Sequence, residues 1–120
     1  DLNGDGTKEI ITGAGQGGGP HVRVFSKDGK PLIGGFFAYD RDFRGGVNVA
    51  AGNVMGTSDG EIVVSAGRGG LPRVKIYNKD GQMVKEFLAY DNNFLSGVKI
   101  VLTDLDKDGK KEILPAIFEF

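Results

Sequence analysis

The sequence predicts an all-β fold made of β-propeller blades, each a four-stranded antiparallel sheet, with about two and a half blades in its 120 residues. Three observations predict it. The first is an internal repeat. Glu9-Ile-Ile-Thr-Gly-Ala-Gly15 returns as Glu61-Ile-Val-Val-Ser-Ala-Gly67, and Glu112-Ile-Leu114 opens a third copy; Pro20-His-Val-Arg-Val-Phe25 matches Pro72-Arg-Val-Lys-Ile-Tyr77, and Phe37-Ala-Tyr-Asp40 matches Leu88-Ala-Tyr-Asp91, all at spacings of 51 or 52 residues. The second is a two-residue hydrophobic period, with Val22 and Val24 alternating with His21 and Arg23, and Val74 and Ile76 with Arg73 and Lys75. The third is the pair of Lys-Asp-Gly turns at 27–29 and 79–81, placed between apolar runs where hairpins belong.

Taken in order, the elements form a single propeller segment spanning 1–120. A partial blade occupies 1–44, a complete blade 45–91 and a second partial blade 92–120. In the complete blade the strands are read at 47–51, 61–65, 73–78 and 83–90. The run from Met83 to Tyr90 has a helix-like look, but its counterpart carries Gly34-Gly35, which would make a poor helix; both copies are therefore read as strand. The last unit repeats the first strand at 98–102. Leu114-Pro-Ala-Ile-Phe-Glu-Phe120 then stands where the repeat expects Thr-Gly-Ala-Gly, so a terminal strand that docks elsewhere is expected.

Composition narrows the function classes. Fifteen Lys and Arg against sixteen Asp and Glu give a net charge of −1, with no basic stripe for nucleic acid. No apolar run approaches the roughly 20 residues of a membrane helix, so a soluble chain is expected. Cysteine is absent, which removes disulfides and thiolate metal sites. Twenty-one glycines beside four prolines mark many tight turns. The chain opens abruptly on Asp1 with neither a start methionine nor a leader, which points to a segment of a longer or processed chain.

The chemistry lies in an acidic loop that occurs twice, as Asp1-Leu-Asn-Gly-Asp-Gly-Thr-Lys-Glu9 and Asp104-Leu-Asp-Lys-Asp-Gly-Lys-Lys-Glu112. Oxygen-bearing side chains alternate along each copy: Asp1, Asn3, Asp5 and Glu9 in one, Asp104, Asp106, Asp108 and Glu112 in the other. With the backbone carbonyls of Thr7 and Lys110 and a sharp turn at Gly6 or Gly109, each could wrap a hard cation. Ca²⁺ takes six to eight oxygens at about 2.3–2.6 Å. Turn geometry alone also favours Asp, Asn and Gly, so a metal-free surface turn is the competing reading. The middle copy, Asn53-Val-Met-Gly-Thr-Ser-Asp-Gly-Glu61, has Met55 and Thr57 at ligand positions, and no ion is expected there.

The stretch Phe43-Arg-Gly-Gly-Val-Asn-Val-Ala-Ala-Gly-Asn53, the acidic loop and the Glu-Ile-Ile-Thr-Gly-Ala-Gly strand resemble the FG-GAP repeat of integrin α-subunit propellers and related bacterial surface proteins. The resemblance covers nearly all of the chain. It implies that the acidic loops join the first and second strands of a blade on one face of the ring and hold Ca²⁺. Glu9 and Glu112 stand where many family members have aspartate, to ligate or merely to support. It also implies an extracellular or cell-surface module for binding protein or glycan, or for scaffolding. Ring completion by homo-oligomerisation, with 98–102 supplying a neighbour's first strand, or by covalent neighbouring blades is expected. Alternatives are a purely structural, self-assembling and even engineered fragment with no ligand beyond calcium, and an accessory domain of a polysaccharide-active enzyme.

No catalytic constellation is expected, and the chain is not read as an enzyme. Gly13-Ala-Gly-Gln-Gly-Gly18 fits a dinucleotide fingerprint formally, but Pro20 and a strand follow where a helix would have to receive the phosphates. His21 is the only histidine and is read as an outward strand residue. Asp40, Asp42 and Asp91 suggest paired carboxylates, yet Ala-Tyr-Asp recurs with the fold, which favours a Tyr packed between sheets and an Asp closing a turn.

Overall fold

A computed structural model describes residues 1–116 and is all-β, with nine strands and no helix among the described residues. They form three antiparallel sheets. The first holds β1 (Ile10–Gly13), β2 (His21–Phe25) and β3 (Phe36–Phe37); the second β4 (Val47–Gly52), β5 (Glu61–Ala66), β6 (Arg73–Tyr77) and β7 (Met83–Leu88); the third β8 (Lys99–Thr103) and β9 (Glu112–Ala116). Each sheet is a meander of sequential neighbours, as the two-residue period requires. The Lys-Asp-Gly turns close two of its hairpins: Gly29 N donates to Ser26 O at 2.9 Å and Gly81 N to Asn78 O at 3.0 Å. The expected terminal strand lies partly outside the described residues: β9 covers 112–116, and 117–120 are not described.

One element is shorter than its counterpart. β3 has two residues where β7 has six. Pro31 makes only an isolated bridge to Phe25, and Gly35 turns back with φ of 80°, so the strand cannot form until Phe36.

Packing is sheet against sheet. Val22 and Val24 of β2, with Leu2 and Ala38, meet Val47, Ile62, Val64 and Tyr77 of the second sheet in one buried cluster. Val63, Val74 and Ile76 turn the other way and pack with Val54, Phe87, Ile100, Leu102 and Ile113 towards the third sheet. β5 therefore has apolar neighbours on both faces and is buried along its whole length, which is why Ile62, Val63 and Val64 follow one another as consecutive apolar residues rather than alternating with polar ones. The radius of gyration, 13.9 Å, matches the roughly 13.6 Å of a compact chain of this length, so the sheets are stacked rather than strung out. Among the described residues no helix is long and apolar enough to cross a membrane.

The glycines of the Gly13-Ala-Gly15 stretch serve this stacking. Val47 N donates to Ala14 O at 2.8 Å, and a Cβ on Gly46 would meet Gly15 C at 2.5 Å. Gly17 N is taken by Arg44 O at 2.8 Å and Gly18 N by Gly15 O at 2.9 Å. These amides hold neighbouring backbone, and β2 rather than a helix follows, so the segment is no phosphate cradle.

Candidate metal centre

Three loops stand in the same place relative to their sheets: 1–9 leads into β1, 53–60 joins β4 to β5, and 104–111 joins β8 to β9. Backbone bonds tie them side by side along one edge of the molecule, Gly60 N to Leu2 O at 2.9 Å and Lys111 N to Asn53 O at 2.7 Å.

Within the first loop, Asp1 organises the turn. Its Oδ1 accepts from Gly4 N at 2.8 Å and Asp5 N at 3.1 Å, and its Oδ2 from Gly6 N at 2.8 Å. Asn3 Oδ1 accepts from Asp5 N at 3.1 Å, and Asp5 Oδ1 from Thr7 N at 2.7 Å. The last loop repeats the pattern 103 residues on: Asp104 Oδ1 accepts from Asp108 N and Oδ2 from Gly109 N, Asp106 Oδ1 from Asp108 N, and Asp108 Oδ1 from Lys110 N at 2.8 Å. Alternate carboxylates converge because each Asx turn reverses the backbone within two residues. Gly6 and Gly109 make this possible with φ of 85° and 90°; a Cβ at either would meet nothing, so glycine is needed there for conformation rather than space.

The result is two acidic clusters that could hold a metal ion. Carboxylate oxygens of Asp1, Asp5 and Glu9 lie within 4.8 Å of one another, as do those of Asp104, Asp106, Asp108 and Glu112. Asn3 joins the first loop through its amide oxygen, while Thr7 and Lys110 are fixed by the amides they donate to Asp5 and Asp108. Crowding has an electrostatic consequence in the last loop. Asp106 is pushed up from the ordinary carboxylate range by lost hydration and by its hydrogen bond with Asp108. Asp108 is held down, first by the Lys110 amide.

The two glutamates have a role that the sequence left open. Glu9 Oε2 accepts from Leu2 N at 2.6 Å, and Glu112 Oε1 from Leu105 N at 2.7 Å and more weakly from Asp106 N. Glu61 makes the same tie in the middle loop, where Oε1 accepts from Val54 N at 3.0 Å and Met55 N at 2.8 Å, and Oε2 from Thr57 Oγ1 at 3.2 Å. One oxygen of each glutamate thus closes the loop independently of any ion, and the other oxygen of Glu9 and Glu112 remains for ligation.

The middle loop lacks the cluster. Asn53 stands for the first aspartate and caps Gly56 N at 2.8 Å, while Met55 and Thr57 occupy the other ligand positions. Beside it, Lys79 makes an exposed ion pair with Asp59 at 2.9 Å.

Among the side residues, Asp40 and Asp91 close turns by accepting from Asp42 N and Asn93 N, each at 2.9 Å. His21 lies on the face of β2 opposite the buried Val22 and Val24, as expected, and there it is half-buried by stacking on the exposed Phe37 with ring centroids 4.9 Å apart. Compared with protein-family models, curated proteins and solved structures, the chain matches none, so its chemistry rests on the geometry of its own loops.

Proposed function

We propose that this chain is a calcium-binding segment of a β-propeller, its sheets being blades, and that it serves as an extracellular or cell-surface module for binding or scaffolding rather than as an enzyme. The observation that carries the reading is the pair of carboxylate clusters built on the same turn pattern, one leading into β1 and one joining β8 to β9, separated by a middle loop that keeps the entry turn and lacks the cluster. Asp1, Asn3, Asp5 and Glu9, with the carbonyl of Thr7, would hold one ion; Asp104, Asp106, Asp108 and Glu112, with that of Lys110, the other. All-oxygen donors of this number suit a hard divalent cation, and loops without imidazole or thiolate disfavour zinc. Calcium would rigidify the edge along which the three loops are bonded, and the partners would be further sheets, from the same chain or from copies of it.

Calcium titration by calorimetry, with native mass spectrometry before and after chelation, tests this. Two ions per chain and a melting temperature that falls on chelation are expected; an ion that is bound only by the folded state contributes about 2.7 kcal/mol at a hundred times its Kd. No heat of binding, with unchanged melting, would return the loops to ordinary turns and leave the purely structural alternative.

A glycan-binding reading has one observation in its favour. A groove of about 420 Å³ between the first and second sheets is lined by Phe37, Tyr39, Phe43, Leu71 and the ion pair of Arg73 and Glu86. The exposed ring of Phe37 beside a charged pair is what a sugar face and its hydroxyls would meet, and a glycan array reads it directly.

A further inference from the structure

Among the described residues, the chain makes one kind of sheet-to-sheet contact twice internally and leaves both halves of a third contact uncovered. On the outer face of the first sheet, Ile10 is opposite Phe25, as Ile62 is opposite Tyr77 in the second sheet. Ile62 is fully buried because the first sheet covers it; Ile10 is 48% exposed. On the outer face of the third sheet, Val101 is opposite Leu114, as Ala50 is opposite Val63. Val63 is fully buried under the third sheet, whereas Leu114 is 39% exposed and Val101 is exposed too. Leu105 repeats Leu2, which is 3% exposed in the first core cluster, yet Leu105 itself is 63% exposed. Scattered apolar residues on a surface need no explanation, but Ile10, Leu105 and Leu114 occupy positions whose counterparts Ile62, Leu2 and Val63 are buried where a sheet lies next to them.

We propose that the Val101, Leu105 and Leu114 face of one chain docks on the Ile10 and Phe25 face of a second copy, continuing the internal stacking across chains. The two faces differ, so the contact is heterologous, passing from chain to chain until a ring closes or growing as an open chain. The occupant is argued from complementarity: the face of the first sheet that already covers Ile62 uses Leu2 and Ile11, the counterparts of Leu105 and Leu114. This inference rests on the stacked-blade half of the proposed function and is independent of calcium.

Light scattering coupled to gel filtration, in calcium-containing buffer and across a concentration series, tests it with the full chain and two variants, Ile10→Lys and Leu114→Lys. The wild-type chain should assemble, and each variant alone should run at the mass of a single chain with its β spectrum retained. An equimolar mixture of the two should give a dimer and nothing larger, because each variant keeps the face the other has lost. Should Leu114→Lys fail to fold, Val101→Lys on the same face replaces it. A monomeric wild-type chain, variants that still assemble, or a mixture that stays monomeric would each overturn the proposal, and none of these readouts depends on how many ions are bound.

Discussion

Tyr39 joins two sheets through one hydroxyl. It donates to the Arg73 carbonyl and, more weakly at 3.5 Å, to that of Val64; Tyr90, 51 residues on, donates to Pro115 O at 3.1 Å in the matching place. The recurrence of Ala-Tyr-Asp pointed to such a structural pair, and the aspartates do close turns beside it. What the sequence did not reveal is the cation over the ring: Lys75 Nζ lies 4.6 Å from the Tyr39 centroid and donates to Ala38 O at 2.6 Å. Its position depends on β6 of the second sheet and on the turn after β3 of the first. Burial pushes the Tyr39 hydroxyl well above its ordinary range, and burial likewise pushes Tyr77 up to about 12. The unfolded chain ionises its tyrosines near pH 10, so above that pH it binds fewer protons than the folded chain and stability falls as pH rises towards about 12. Urea unfolding followed from neutral pH upwards should decline from about pH 10, and Tyr39→Phe should make that decline shallower while costing about 1 kcal/mol at neutral pH from the lost hydrogen bond. An unchanged alkaline slope would remove Tyr39 from the explanation.

At the scale of the element, loop shape and loop chemistry are separable. All three loops take a left-handed backbone at their fourth residue, Gly4, Gly56 and Lys107, with φ of 74°, 81° and 59°. Only the flanking two repeat it at the sixth, where Gly6 and Gly109 stand and the middle loop has Ser58. The middle loop keeps its entry turn through Asn53 and Glu61 but cannot gather carboxylates. Rebuilding it as Asn53→Asp, Met55→Asn, Thr57→Asp and Ser58→Gly should therefore add a third calcium to each chain, counted by native mass spectrometry. An unchanged count would mean that more than ligands and the second left-handed turn is missing. Conversely, the four carboxylates of the last loop against three in the first predict tighter binding there. Asp106→Asn should lower that site's affinity towards that of the first loop in a calorimetric titration, because fewer ligand charges weaken such sites. The alternating donors were legible from the sequence because an Asx turn is local. The glutamate ties were not, since the reach of a long side chain to an amide six or seven residues back follows from the folded loop.

For the whole molecule, β5 is the shared wall: Ile62 and Val64 belong to one core and Val63 to the other. Unfolding should accordingly be a single cooperative transition, and Ile62→Ala should cost about 2–5 kcal/mol by leaving a cavity against the first sheet. Two separate transitions in a calorimetric scan would contradict the shared wall. The sequence by itself determined the strands, their meander order, the hairpin turns and the two acidic loops, because these depend on a two-residue period, on turn residues and on an exact count of about 51 residues between copies. It also assigned strand to 83–90 over a helix-like pattern, since one repeat had to serve both sequences, and the structure forms that strand over 83–88. The tertiary structure alone decided the truncation of β3, the burial of both faces of β5, the stacking of His21 on Phe37 and the exposure of Ile10 and Leu114. A period says which side of a strand is apolar; only the packing of one sheet on the next says whether anything covers it.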